Sequence, residues 1–242
     1  MIKVENIDVW GFEHAIRGIH STMNCLDTSD SGWCYANSRV ESKCDAMCCD
    51  DCVSHFYEVG KNDIALMRRL YKAGPEHRKY LRQICMSMDI TAPLYWWKEH
   101  DQYNVWATSN SCNTLHKIHA KEFTIEDFSF DKLLNNGCDL FNIQWENGLF
   151  DRNVQPMEFL HVWIINALNV CRAKYLETRD KDDWGQMIQL LPSSYNEKRT
   201  VTMNYENVVN VIDNSSGTKF YEWNEFFRIL KNLPYVKEIT EQ

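Results

Sequence analysis

Asp89-Ile90-Thr91-Ala92-Pro93-Leu94-Tyr95-Trp96-Trp97-Lys98 decides how this chain is read. Its first half alternates apolar and polar residues, the period of a strand with one covered face. Pro93 then stands where a first helical turn tolerates it, because its missing N–H has no intrahelical partner there. The stretch predicts a strand that turns directly into a helix packed with aromatic and polar groups, running on toward Ser111-Cys112.

Working outward, Ile2 to Trp10 alternates in the same way and predicts a first strand. Gly11 to Met23 follows as a helix with Ala15, Ile16 and Ile19 on one face, and the Ser-, Thr- and Asp-rich run from Ser21 to Gly32 marks a loop. A helix capped by Asn62 or Asp63 ends at Gly74-Pro75. Glu76 to Gln83 reads as a short helix or turn before a strand near Ile84 to Ile90. Thr124 caps a segment into Phe128, and Phe130 to Leu134 looks similar. Phe159, Val162, Trp163, Ile165, Leu168 and Cys171 recur at helical spacing, so Pro156 to Leu176 is a helix. Further helices are expected over Trp184–Leu191, closed by Pro192, then over Thr202–Ile212 and Tyr221–Leu230. The pattern describes one mixed α/β domain.

Composition narrows the function. With 242 residues, 44% hydrophobic and 25% charged, the chain can bury a sizeable core and has ordinary globular values. Its longest apolar runs, such as Val162 to Ile165, are too short for a membrane span, and the N-terminus develops no apolar signal segment. A cytoplasmic protein is expected. A formal net charge of −8 and the lack of a long basic block argue against general nucleic-acid binding. A small phosphorylated ligand needs only a few cations and stays open. Ten cysteines without a secretory signal point to reduced thiols. Cys44, Cys48, Cys49 and Cys52, with His55, admit either a zinc site or a solvated loop with incidental thiols; no metal site is assigned.

With its neighbours in view, the Asp-Ile-Thr-Ala-Pro stretch resembles the signature region of the flavin-dependent thymidylate synthases, the ThyX family. There a D-I-x-A-P segment leads into R-H-R-x7-S, which binds flavin and nucleotide together. Counted from Ala92-Pro93, the three charged signature positions fall on Gln102, Tyr103 and Asn104, and the serine position on Cys112. The resemblance resumes at Leu191-Pro192 and at Arg199-Thr200-Val201-Thr202-Met203-Asn204-Tyr205-Glu206. Asn204 and Asn210 match polar positions that contact flavin in the family. Glu206, Ser215 and Ile188 stand where the family has arginines. The apolar frame is kept while the cationic positions are lost.

The resemblance implies a single α+β domain over residues 1–242, a central, mostly antiparallel sheet flanked by helices. It also implies FAD held by Gln102, Tyr103, Asn104, Asn204 and Asn210, and a pyrimidine nucleotide such as dUMP held by Ser111, Cys112 and Arg199. Reduced folate and NADPH complete the family's chemistry, and a homotetramer with sites at subunit interfaces is its assembly. Cys112 is the candidate nucleophile, since a thiolate can add to C6 of a pyrimidine and activate C5. A free cysteine is equally a small buried hydrophobe. His116 lies four residues on, on the same face if the helix continues. Trp96, Trp97 and Trp106 offer stacking surfaces or fill the core. Lys79 or Arg82, in the basic run from Glu76, could compensate for lost arginines; Arg199 with Lys198 is a second phosphate candidate, and both runs also fit a solvated surface. The alternative to an enzyme is a non-catalytic descendant, encoded by a phage or mobile element, that binds a nucleotide or a partner protein.

Overall fold

Alternation along Cys85–Pro93 survives folding intact: Met86, Met88, Ile90 and Ala92 are fully buried, while Ser87, Asp89 and Thr91 lie on the half-open side. In a strand successive side chains point to opposite faces, so this period gives one covered face. The computed structural model describes residues 2–23, 28–34, 56–103, 108–111, 116–130, 156–214 and 220–241. The cysteine-rich run to His55, Asn104, Trp106, Cys112, Ser215 and the stretch from residue 131 to 155 lie outside the described residues.

The described elements are β1 (Lys3–Trp10), α1 (Phe12–Met23), β2 (Gly32–Cys34), β3 (Phe56–Glu58), α2 (Lys61–Lys72), β4 (Cys85–Pro93), α3 (Leu94–Tyr103), β5 (Thr108–Ser111), α4 (Pro156–Thr178), α5 (Lys181–Leu190), β6 (Asn196–Asn204), α6 (Tyr205–Asp213), α7 (Tyr221–Lys231) and α8 (Val236–Thr240). Short 3-10 turns cover Lys79–Gln83, Ile118–Ala120 and Ile125–Asp127. Four strands form an antiparallel sheet in the order β1-β4-β6-β5, flanked by helices, and β2 pairs antiparallel with β3. This is the expected α+β architecture. Among the described residues no helix is long and apolar enough to cross a membrane.

Contacts divide the chain into two compact units: Met1–Glu5, Met88–Val105 and Ser109–Val201 form one, and Asn6–Ser87, Trp106–Thr108 and Thr202–Gln242 the other. In the first unit α4 packs along α5 over a core of Phe123, Phe128, Phe130, Leu168, Met187 and Tyr195. Asn169 brackets the backbone N–H and C=O of Phe123 at 2.9 Å each, so this buried turn leaves neither group unsatisfied. Thr124, expected as a cap, forms a capping box with Asp127.

In the second unit α1 lies on the Lys79–Gln83 turn. The approach is close enough that a Cβ on Gly11 would fall 2.1 Å from the Gln83 carbonyl oxygen; Gly11 also has φ +98°, open to glycine. Asp63 does not cap α2. Gly60 holds that position, the Asp30 carboxylate accepts from the Asn62 and Asp63 N–H groups, and the Asp63 side chain turns inward. There it meets His20 Nε2 at 2.5 Å and accepts from the Ser29 and Ser31 hydroxyls at 2.6 and 2.5 Å. Desolvation alone would raise the Asp63 pKa, but bonds from Ser29, Ser31 and His20 hold it below the ordinary value.

Candidate functional site

The first unit gathers its polar groups where α3 meets β6. Helix α3 starts without a side-chain cap because its first N–H groups find carbonyls elsewhere: Leu94 donates to Tyr195 O and Tyr95 to Ser193 O. Along the helix Trp97 and Asp101 are four residues apart and share a face, while Glu197 and Arg199 are two apart and share a face of β6. The four side chains meet. Arg199 Nε and Nη2 each lie 2.8 Å from Glu197 Oε2, and Nη1 donates to both oxygens of Asp101 at 3.1 Å. The guanidinium carbon sits 4.4 Å above the Trp97 ring, whose Nε1 donates to the Glu197 carbonyl. Lys198, pointing the other way, pairs with Asp89 at 3.2 Å, and Thr200 donates to the same carboxylate.

Trp96 and Trp97 are 0% and 1% exposed, so they belong to the core and offer no face to a ligand. His100 is buried against both, its ring 4.8 Å from Trp96 and 5.1 Å from Trp97, with Nδ1 3.7 Å from Asp101. Burial pushes its pKa down to about 4; the Arg199 charge pushes the same way and the Asp101 carboxylate opposes both. At neutral pH the ring is uncharged. Gln102 follows Asp101 on the exposed end of α3, and Tyr103 ends the helix. Thr108–Ser111 is a strand, so α3 does not run on as one helix to His116, and Cys112 itself lies outside the described residues. His116 instead stacks over Trp184 at 6.4 Å. Ser111 closes β5, exposed.

In the second unit the polar groups gather on α6. The helix begins at Tyr205, three residues later than its apolar spacing suggests, because Thr202 to Asn204 complete β6. Asn204 is the cap: its side-chain oxygen accepts from the Asn207 N–H at 3.0 Å. In the first turn Glu206 accepts from Arg78 Nε at 3.2 Å, and four residues on Asn210 accepts from Arg78 Nη2 at 3.2 Å. Arg78 also lies 5.2 Å above the Tyr71 ring. Burial, then Asp213, raises the Tyr71 pKa. Arg78, which was not singled out in the basic run, is the cation that reaches the position where α6 lacks an arginine. Among the described residues the amide nitrogens of Asn204 and Asn210 have no hydrogen-bond partner, so both remain donors.

Of the expected site residues, Arg199 falls with Gln102 and Tyr103 in the first unit, and Asn204 and Asn210 belong to one helix, α6, in the second, the former as its N-cap. Sequence reasoning missed Asp101, Glu197 and Arg78. The spacings 97/101 and 197/199 were the signal available for the first two; Arg78 had none, since its partner is 128 positions away.

No family model matches the sequence, and no curated protein matches it. Solved structures do. Thymidylate Synthase X (ThyX) from Helicobacter pylori, with FAD and dUMP, aligns over 99% of this chain and 97% of its own at 15% identity and a TM-score of 0.61. A second Helicobacter pylori ThyX complexed with FAD and dUMP gives 14% identity, 99% and 98% coverage and a TM-score of 0.60. A UMP/dUMP methylase, PolB from Streptomyces cacaoi, bound with 5-Br dUMP, gives 13%, 99% and 94%, and 0.57. The likeness runs the length of the chain although little sequence is shared, and it identifies this as a divergent protein with the fold of the flavin-dependent thymidylate synthases.

Proposed function

We propose that this protein is a ThyX-like, pyrimidine-nucleotide-modifying enzyme that transfers a one-carbon unit to C5 of a nucleotide such as dUMP with the help of FAD. The observation that carries the reading is the end-to-end likeness to a thymidylate synthase solved with FAD and dUMP and to a UMP/dUMP methylase. The residues present fit a flavin in one respect: Asn204 and Asn210 keep their amide donors, which suit the carbonyl-rich edge of an isoalloxazine. Gln102 adds an exposed amide at the end of α3. Bound flavin supplies reversible electron transfer; reduced folate and NADPH are the carbon and electron sources in this reading. Cys112, with Ser111, is its pyrimidine contact, the thiolate adding to C6 so that C5 becomes the nucleophilic carbon. Tyr103 and Asn104 complete the flavin contacts, and the active form is a cytoplasmic homotetramer.

An absorbance spectrum of the purified protein is the direct test. Flavin bands, or their appearance on adding FAD, together with a rise in melting temperature on adding dUMP, are the expected result. Colourless protein that takes up no FAD and is not stabilised by pyrimidine monophosphates overturns the reading.

A second reading has its own support. Arg199 and Arg78 both face carboxylates, so neither resembles a cation held ready for phosphate. A non-catalytic descendant of the same fold, phage-borne or otherwise mobile, fits that balance. Rescue of a thymidine auxotroph by this chain removes it.

A further inference from the structure

We infer that Arg199 serves the ligand site as a positioning residue, acting through Asp101 to fix the last turn of α3 and with it Gln102 and Tyr103, and does not itself grip the nucleotide. The inference rests on the flavin and pyrimidine reading for its ligands. Its geometry stands apart from that reading.

Three observations converge. First, all three guanidinium nitrogens of Arg199 face carboxylates: Nε and Nη2 face Glu197, and Nη1 faces Asp101. Two carboxylates around one guanidinium leave a formal negative charge, with His100 neutral beside them, so a phosphate approaching this set meets repulsion. Second, Asp101 sits in the last turn of α3, the end of a helix that disfavours anions. A bidentate guanidinium is what makes a carboxylate acceptable there. Third, α3 is tied at both ends to one short stretch of chain. Its first N–H groups bond to the carbonyls of Ser193 and Tyr195, and its last turn is held by Arg199, with Trp97 clasped between the guanidinium and the Glu197 carbonyl. The link that can be cut without touching the helix start is the Arg199–Asp101 pair. Gln102 and Tyr103 follow it directly.

The experiment compares full-length wild type, Arg199→Ala, Arg199→Lys, Asp101→Asn and the Asp101→Asn/Arg199→Ala double variant. FAD and dUMP affinities are measured by titration, and backbone hydrogen exchange is followed over residues 99–103. If Arg199 works through Asp101, each single variant speeds exchange in that turn and weakens FAD binding by about tenfold, and the double variant is no worse than Arg199→Ala. Arg199→Lys, which keeps the charge but loses the planar fork, should behave like Arg199→Ala. Multiplying losses in the double variant would show that Arg199 touches ligand, and a loss of affinity with Arg199→Ala that Asp101→Asn does not share would show that it does not act through Asp101; either overturns the inference. Unchanged exchange over 99–103 overturns it as well. If wild type binds neither FAD nor dUMP, the functional reading fails; the exchange measurements then still decide whether the pair holds the turn.

Discussion

Arg199 and Arg78 are the same residue put to unequal use. Arg199 has both sides of its fork closed by carboxylates at 2.8 and 3.1 Å and an indole beneath it. Arg78 makes two longer bonds of 3.2 Å, one to a carboxylate and one to the amide of Asn210, an exposed residue. The first fastens two elements of one unit together. The second ties α6 to the turn that follows Arg78, its own side chain 12% exposed against 18% for Arg199. The two arginines of this fold are therefore held in unlike ways.

The contrast can be broken in order of expected effect. Arg199→Ala strands Glu197, a side chain only 8% exposed, without its cation. Removing one partner of a buried pair costs about 3–4 kcal/mol, and urea denaturation should show a loss of that size. Next comes pH. His100 binds its proton at about 4 when folded, against 6.5 for an ordinary histidine. Above pH 6.5 the ring is neutral whether folded or not. As pH falls from 6.5 toward 4 the unfolded chain takes up a proton that the folded chain refuses, so stability drops across that window by no more than about 3 kcal/mol. His100→Gln should flatten this part of the profile. Arg78→Ala should cost less than Arg199→Ala, about 1–3 kcal/mol, because its bonds are longer and Asn210 regains water, while Glu206, 13% exposed, loses its cation. Asn204→Ala removes a helix cap and should cost about 1 kcal/mol. If Arg78→Ala proves as damaging as Arg199→Ala in the same denaturation series, the contrast collapses.

How much of this was legible beforehand depends on how local the cause is. Met86, Met88, Ile90 and Ala92 announce β4 because each must be buried on the same face; the helical spacing from Pro156 also gives α4, although Val162 and Trp163 of that stripe are exposed. Strand β5 reads Thr-Ser-Asn-Ser and is exposed throughout; with no apolar alternation, nothing marks it. Strands β2 and β3 have three residues each, too few to establish a period. The start of α6 was misplaced because Val201, Met203 and Tyr205 are all buried, and that spacing serves a strand end as well as a helix start. The site divides likewise. Gln102, Asn204 and Asn210 could be placed by counting along a frame, but the pairing of Arg199 with Asp101 joins positions 98 residues apart, and only the fold brings them together.

The ribbon of β2 and β3 has a practical consequence. Cys34 stands opposite Phe56 in its ladder and Gly32 opposite Glu58, while the Gly60 N–H donates to the Ser31 hydroxyl. The points at which the chain leaves and rejoins this ribbon are thus held side by side by backbone pairing.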